Sequence, residues 1–155
     1  MIRKAKITDI KYIYKLILHF SKKGDVLPRP LAELYEHLRD FFVYEDKDLI
    51  IGACALQVCW EDLAEIKSLV VTEEYQKKGI GMELVKACLE EAKILGIPKV
   101  FVLTRVPEFF EKIGFIKIDK NQLPHKIWSD CIKCSKFPEC DEVPLIKKLE
   151  VIKTP

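Results

Sequence analysis

Between residues 69 and 82 the chain passes from a β-rich run through a short polar loop into the start of an amphipathic helix. The run is Leu69, Val70, Val71; the loop is Thr72, Glu73, Glu74, Tyr75, Gln76, Lys77, Lys78; the helix opens at Gly79, Ile80, Gly81, Met82. Backbone N–H groups at a helix start have no intrahelical partner, and the helix dipole is positive there. Together they form a ready anion site. Gly79 and Gly81 remove side chains where phosphate oxygens must approach the backbone, and Lys77 and Lys78 add positive charge. No Gly-Lys-Ser/Thr follows, so the loop is not a Walker A sequence. Taken alone, the segment reads equally as an ordinary helix-initiating turn with its lysines in solvent.

The rest of the chain supplies the setting. Residues 2–6 alternate as a short strand, with Thr8 as the N-cap of a helix carrying Ile10, Ile13, Leu16, Ile17 and Phe20. Lys22-Lys23-Gly24 ends that helix, and Pro30 opens a second with Leu31, Leu34, Tyr35 and Leu38 on one face. Residues 41–45 and 49–59 predict a strand pair, 60–62 a turn, and 63–71 a further strand. The clearest helix spans 79–95, striped by Ile80, Leu84, Val85, Cys88, Ala92 and Leu95 and broken by Gly96 and Pro98. A strand at 100–104, a short helix at 107–113, a strand at 115–118 and a last strand at 144–149 follow. The order is a mixed α/β (α+β) pattern.

A chain of 155 residues favours one domain, and 49% hydrophobic with 32% charged residues excludes a disordered class. The net charge of +2, from 26 basic and 24 acidic residues, argues for neither a nucleic-acid nor a membrane partner. No apolar run reaches the length of a membrane span, and the charged N-terminus lacks a signal-peptide core. Six cysteines in such a chain do not make a secreted disulfide scaffold, so a cytoplasmic protein is expected.

Gln76-Lys77-Lys78-Gly79-Ile80-Gly81 resembles the Gln/Arg-x-x-Gly-x-Gly signature of the GNAT acetyltransferases. Phe109-Phe110-Glu111-Lys112-Ile113-Gly114-Phe115 resembles a second motif of that family, an aromatic helix closing on Gly-Phe. The resemblance covers nearly the whole chain. It implies a single GNAT acyltransferase domain over 1–155, with an irregular Cys-containing segment at 119–142, and a central mixed sheet with two splayed strands. It also implies acetyl-CoA as co-substrate. The 76–82 turn would hold its pyrophosphate, and the backbone of Leu69, Val70 and Val71 would pair with the pantetheine arm.

Several stretches are similar to the short bacterial N-acetylglutamate synthases: Leu34-Tyr35-Glu36, Ala55-Leu56-Gln57-Val58, residues 60–67, Phe101-Val102-Leu103-Thr104 leading into Glu108-Phe109-Phe110, and residues 123–128 with the cysteine cluster. This implies acetyl transfer to the α-amine of glutamate, or else glutamine, as the first step of arginine biosynthesis. Larger relatives carry an amino-acid-kinase-like domain that binds arginine, and feedback through such a domain is not expected here. The family often places a base near Glu65, against which stands a plain ion pair with Lys67 on the same strand face. The leaving thiolate needs a donor, and Phe109 and Phe110 occupy the place where relatives often use Tyr; Thr104, Tyr75 or water remain. A backbone N–H near Val70 or Val71 suits the oxyanion.

Arg29, held between Pro28 and Pro30, is the most suggestive carboxylate ligand, because a guanidinium grips a carboxylate bidentately. Lys67, Thr104, Arg105 and Lys126 are further acceptor-side candidates. Cys54, Cys59 and Cys88 fit apolar patterns as small core residues, and His19 and His37 fit structural or surface roles. Cys131-x-x-Cys134 with Cys140 gives three cysteines, so His125 or Asp141 would have to complete a zinc site. No stoichiometric metal is expected there, only a structural clasp, reduced or disulfide-bonded. A GNAT acting on a protein N-terminus or lysine, a non-catalytic acetyl-CoA sensor, a metal-stabilised interaction module built on the tail cysteines and a homodimer all stay open.

Overall fold

The apolar alternation between residues 41 and 71 is realised as three antiparallel strands, and the other elements are added on either side of them. The computed structural model describes residues 1–123 and 142–150. Its elements are β1 (Ile2–Lys4), α1 (Ile10–Lys22), α2 (Leu31–Glu36), β2 (Phe41–Asp46), β3 (Leu49–Trp60), β4 (Leu63–Val71), α3 (Ile80–Leu95), β5 (Lys99–Thr104), α4 (Pro107–Glu111), β6 (Ile116–Lys117) and β7 (Val143–Lys148). They form a seven-stranded sheet in the order β1-β2-β3-β4-β5-β7-β6. Every neighbouring pair is antiparallel except β4 with β5, which α3 joins as a parallel crossover.

Local chemistry accounts for most boundaries. Lys47 (φ 51°) and Asp48 (φ 63°) both adopt the left-handed region, the geometry of a tight two-residue hairpin between β2 and β3. β3 runs on to Trp60, which pairs with Leu63, so the next turn is the two residues Glu61 and Asp62 rather than 60–62. The expected 115–118 strand shrinks to two exposed residues, because Phe115 turns inward against Phe110. α4 ends at Glu111, two residues before Ile113, in a turn that closes on Gly114 at φ 105°.

The sheet is covered on both faces. On one side α3 buries Ile80, Leu84, Val85, Cys88, Leu89 and Ala92 against Cys54, Leu56, Ala64, Ile66, Val100 and Val102. On the other, Ile10, Ile13, Ile17 and Phe20 of α1 and Leu34 of α2 pack on Phe41, Val43, Ala53, Ala55 and Val70. Burying each large aliphatic or aromatic side chain contributes about 1.5–3 kcal/mol.

The start of α1 departs from the sequence reading. Residues Ile7–Asp9 form a single 3-10 turn, and Asp9, not Thr8, fixes the entry. Its carboxylate accepts from Arg3 Nη1 at 2.7 Å and Nη2 at 3.1 Å, and from the Lys6 N–H at 2.7 Å. Burial alone would push the Asp9 carboxyl up. The Arg3 and Lys6 hydrogen bonds outweigh it, and the group sits below its ordinary value. Asp9→Asn is expected to lower unfolding stability by about 2 kcal/mol at neutral pH. Because the folded group titrates below the unfolded one, the wild-type advantage is complete above a pH of about 4 and fades as pH falls through the folded value. Paired denaturant titrations at neutral and acid pH check both points.

Candidate active site

The anion cradle lies where β4 hands over to α3. A 3-10 turn, Glu73–Tyr75, follows the strand, and Gln76 Nε2 donates back to the Val71 carbonyl at 2.8 Å, fastening the loop to the strand end. Lys77 (φ 64°) and Gly79 (φ 84°) are both left-handed. A Cβ at Gly79 would touch nothing within 4 Å, so conformation rather than crowding calls for glycine there. The Glu83 N–H makes the first helical bond, to the Gly79 carbonyl at 3.1 Å. The amides of Ile80, Gly81 and Met82 therefore point out of the helix end without an upstream carbonyl. Ile80 is buried and seats the turn, while Gln76, Lys77, Lys78 and Gly79 are exposed. A Cβ on Gly81 would meet the Phe109 ring at 3.5 Å and Val71 at 4.0 Å, ordinary contact distances.

Beside the cradle the sheet divides. β4 and β5 pair from Leu63 with Lys99 up to Ile66 with Val102, yet β4 runs on to Val71 and β5 to Thr104. The register of β4 against β3 explains how β4 turns away. Ala55 pairs with Lys67 and Ala53 with Val70, so Ser68 and Leu69 together oppose Cys54 in a β-bulge. Ser68 carries the strain, with φ 55°. The extra residue also reverses the alternation. Ala64 and Ile66 face α3, whereas Val70 faces α1 and α2.

Glu65 and Lys67 lie on the strand face opposite α3. Glu65 is 6% exposed, with its Oε1 3.8 Å from Lys67 Nζ. Arg29 comes to the bulge from the loop between α1 and α2 and is 7% exposed. Its Nε donates to Glu33 at 3.0 Å, its Nη1 to Ser68 Oγ at 3.3 Å, and its guanidinium lies 5.4 Å from the Phe41 ring centroid. The buried Nη2 has no partner among the described residues. A buried donor on a permanently charged group is costly for as long as it stays unpaired.

The other candidates separate. Thr104 is 8% exposed at the end of β5, and its hydroxyl accepts from the Val106 N–H at 3.0 Å, leaving its own proton to donate elsewhere. The Tyr75 hydroxyl donates to Asp46 at 2.9 Å, a bond that pushes its pKa up, which makes it a poor proton donor to a thiolate. Arg105 Nη1 donates to the Gly24 carbonyl at 2.7 Å, which ties its guanidinium to the loop. Lys126, His125, Cys131, Cys134, Cys140 and Asp141 lie outside the described residues. Among the described residues no three His, Cys, Asp or Glu side chains gather as a metal site. Sequence reasoning missed Ser68, since a non-glycine residue at positive φ has no marker in the chain. It also missed Glu33 and the contact of Glu73 with His19 and Lys23.

A helix-start anion cradle beside a splayed parallel strand pair defines the acyl-CoA-dependent N-acyltransferase class. A family model described as an acetyltransferase (GNAT) domain matches residues 33–117, and the chain belongs to this family. It is a GNAT N-acetyltransferase with acetyl-CoA as co-substrate. An uncharacterized N-acetyltransferase of Chlorobaculum tepidum is 39% identical over 148 residues, covering 96% of each chain. An amino-acid acetyltransferase of Mycobacterium tuberculosis is 33% identical, over 84% of this chain and 76% of that one. The N-acetylglutamate synthase of Neisseria gonorrhoeae, solved with coenzyme A and N-acetyl-glutamate, superposes with a TM-score of 0.88 at 28% identity. That match covers 97% of this chain but 35% of the synthase. Among the described residues no helix is long and apolar enough to cross a membrane.

Gly81→Glu places a carboxylate and a longer side chain among the free amides. Calorimetry is expected to show acetyl-CoA affinity reduced at least about tenfold, roughly 1.4 kcal/mol, with an unchanged far-UV circular dichroism spectrum. Unaltered affinity would put the pyrophosphate elsewhere.

Proposed function

We propose that this enzyme transfers the acetyl group of acetyl-CoA to the α-amine of L-glutamate, or else glutamine, as the first step of arginine biosynthesis in the cytoplasm. The observation that carries the reading is the buried Arg29 guanidinium, whose Nη2 is unmet beside the strained Ser68. Glu33 holds its Nε and Ser68 takes an Nη1 proton, which leaves Nη2 as the donor for an acceptor carboxylate. The names of the amino-acid acetyltransferase relatives and the ligands of the N. gonorrhoeae synthase support the same acceptor class.

In this scheme the amides of Gly79, Ile80, Gly81 and Met82, with Gln76, Lys77 and Lys78, hold the pyrophosphate. The pantetheine arm takes the strand place that β5 vacates beside Leu69, Val70 and Val71. Lys67 serves Glu65 and a second acceptor carboxylate, and Lys126 is a further candidate cation. An α-amine is mostly protonated at neutral pH, and Glu65 takes that proton directly or through water. A backbone N–H near Val70 or Val71 receives the oxyanion; the Thr104 hydroxyl, too weak an acid to give up its proton, supports the departing thiolate with a hydrogen bond while water supplies the proton.

Coenzyme A release against a panel of free amino acids and a peptide N-terminus tests the acceptor. Acetylation of the peptide but of no free amino acid overturns the small-acid reading. Glu65→Gln is expected to lower kcat about a hundredfold or more at neutral pH with acetyl-CoA affinity retained, and to recover partly at high pH. A fully active variant moves the base elsewhere. Arg29→Lys is expected to raise the KM for glutamate at least about tenfold, roughly 1.4 kcal/mol, while the KM for acetyl-CoA barely moves. Steady-state kinetics with each substrate varied in turn check this.

A further inference from the structure

The turn that leads into the anion cradle is held from a distant part of the sheet. Tyr75, the last residue of the 3-10 turn Glu73–Tyr75, donates its hydroxyl to Asp46 Oδ2 at 2.9 Å. Asp46 ends β2 and pairs with Leu49 across the two-residue turn of Lys47 and Asp48. A hairpin closed that tightly offers a fixed post, 29 residues away in the chain. The Tyr75 ring packs at the edge of the core under α3, and Lys78 Nζ stands 5.3 Å from the ring centroid. One side chain thus fixes the chain just before the cradle and seats one of its lysines. The loop needs such a hold, because Lys77 is a non-glycine residue at φ 64°. That conformation persists only where surrounding contacts over-determine it. Gln76 Nε2 reaches the Val71 carbonyl at 2.8 Å through an exposed side chain. Glu73 meets His19 and Lys23 through side chains that are about half exposed, where solvent weakens ion pairs. The Tyr75–Asp46 bond is part-buried and lies two residues before the strained position.

We propose that the Tyr75–Asp46 bond is a brace that pre-organises the cradle for acetyl-CoA, which makes Asp46, on a different hairpin, a positioning residue for the co-substrate. The inference rests on the reading that the 76–82 turn holds the pyrophosphate. A braced loop presents its amides and Lys78 with the backbone already ordered. A loosened loop has to be ordered by the phosphates when they arrive, and that share of the interaction is lost from affinity. The loss falls on the part of acetyl-CoA that meets the cradle, and leaves the thioester and the acceptor side as they were.

Calorimetry with acetyl-CoA alone, which needs no acceptor, compares the wild-type enzyme with Tyr75→Phe, Asp46→Ala, the double variant and Asp46→Asn. Tyr75→Phe keeps the ring beside Lys78 and removes only the bond. The Kd is expected to rise at least about fivefold in each single variant that breaks the bond, and no further in the double variant, since the same bond is lost each time. Asp46→Asn keeps an oxygen acceptor and is expected to stay within about twofold of the wild type. Turnover separates the brace from a general loosening of the fold. With the acceptor that the amino-acid panel identifies, kcat at saturating acetyl-CoA is expected to change less than about twofold, and so is kcat/KM for S-acetylpantetheine, which lacks the pyrophosphate. Unchanged acetyl-CoA affinity in Tyr75→Phe, additive losses in the double variant, or an equal fall with S-acetylpantetheine overturns the brace. Gly81→Glu measured alongside keeps the two readings apart. If it binds acetyl-CoA as the wild type does, the cradle reading fails and the brace with it; if it alone loses affinity, only the brace fails. If Asp46→Ala does not fold, Tyr75→Phe against Asp46→Asn carries the comparison.

Discussion

Backbone pairing between β4 and β5 stops at Ile66 opposite Val102, and the surrounding structure is arranged around that interruption. A strand edge opened inside a protein leaves N–H and C=O groups unmet, at about 1–3 kcal/mol for each one buried. The gap persists because each arm is held from its outer side. β3 follows β4 through the bulge at Ser68, and β7 follows β5 to its last residue. An extended amide-bearing chain laid between the arms meets groups that already require partners.

Two buried charged networks show how differently the fold treats charge. Asp9 is fully answered by Arg3 and the Lys6 amide, and its role is to fix where α1 starts. Arg29 is nearly as buried, yet part of its fork is unanswered. The first arrangement stabilises the fold as it stands; the second leaves a buried donor of a charged group without a partner among the described residues. Glu65 and Lys67 form a third charged pair, 3.8 Å apart on the face opposite α3.

The sheet and the cradle were legible in the sequence because local chemistry fixes them. Alternation gives β2, β3 and β4, and Gly79 and Gly81 mark a helix start with bare amides. Boundaries slipped where a distant contact decided them. Asp9 displaces Thr8 because Arg3 reaches it from β1, and the 115–118 strand shortens because Phe115 turns onto Phe110. Arg29 stood out between two prolines, but nothing in the chain indicated that its guanidinium would lie beside a strained Ser68. The bulge arises from a mismatch in register between two strands, and register is a property of the pair rather than of either strand's residues. The bond of Arg105 to the Gly24 carbonyl was likewise not legible, since sequence does not show which carbonyl a guanidinium finds.

Among the described residues, β7 is the strand made latest, and it closes the outer side of β5. Leu103 and Thr104, the tip of one arm, pair with Pro144 and Val143, which are made much later than the arm itself. While the chain is being synthesised, the sheet from β1 to β4, α3 and the anion cradle can assemble before residue 143 has been added. Over that interval β5 has an open edge where β7 belongs, and such an edge invites pairing with another chain. The outer wall of the gap is thereby completed only once β7 has been made, and a chain stopped before residue 143 is expected to be a sticky, half-walled domain.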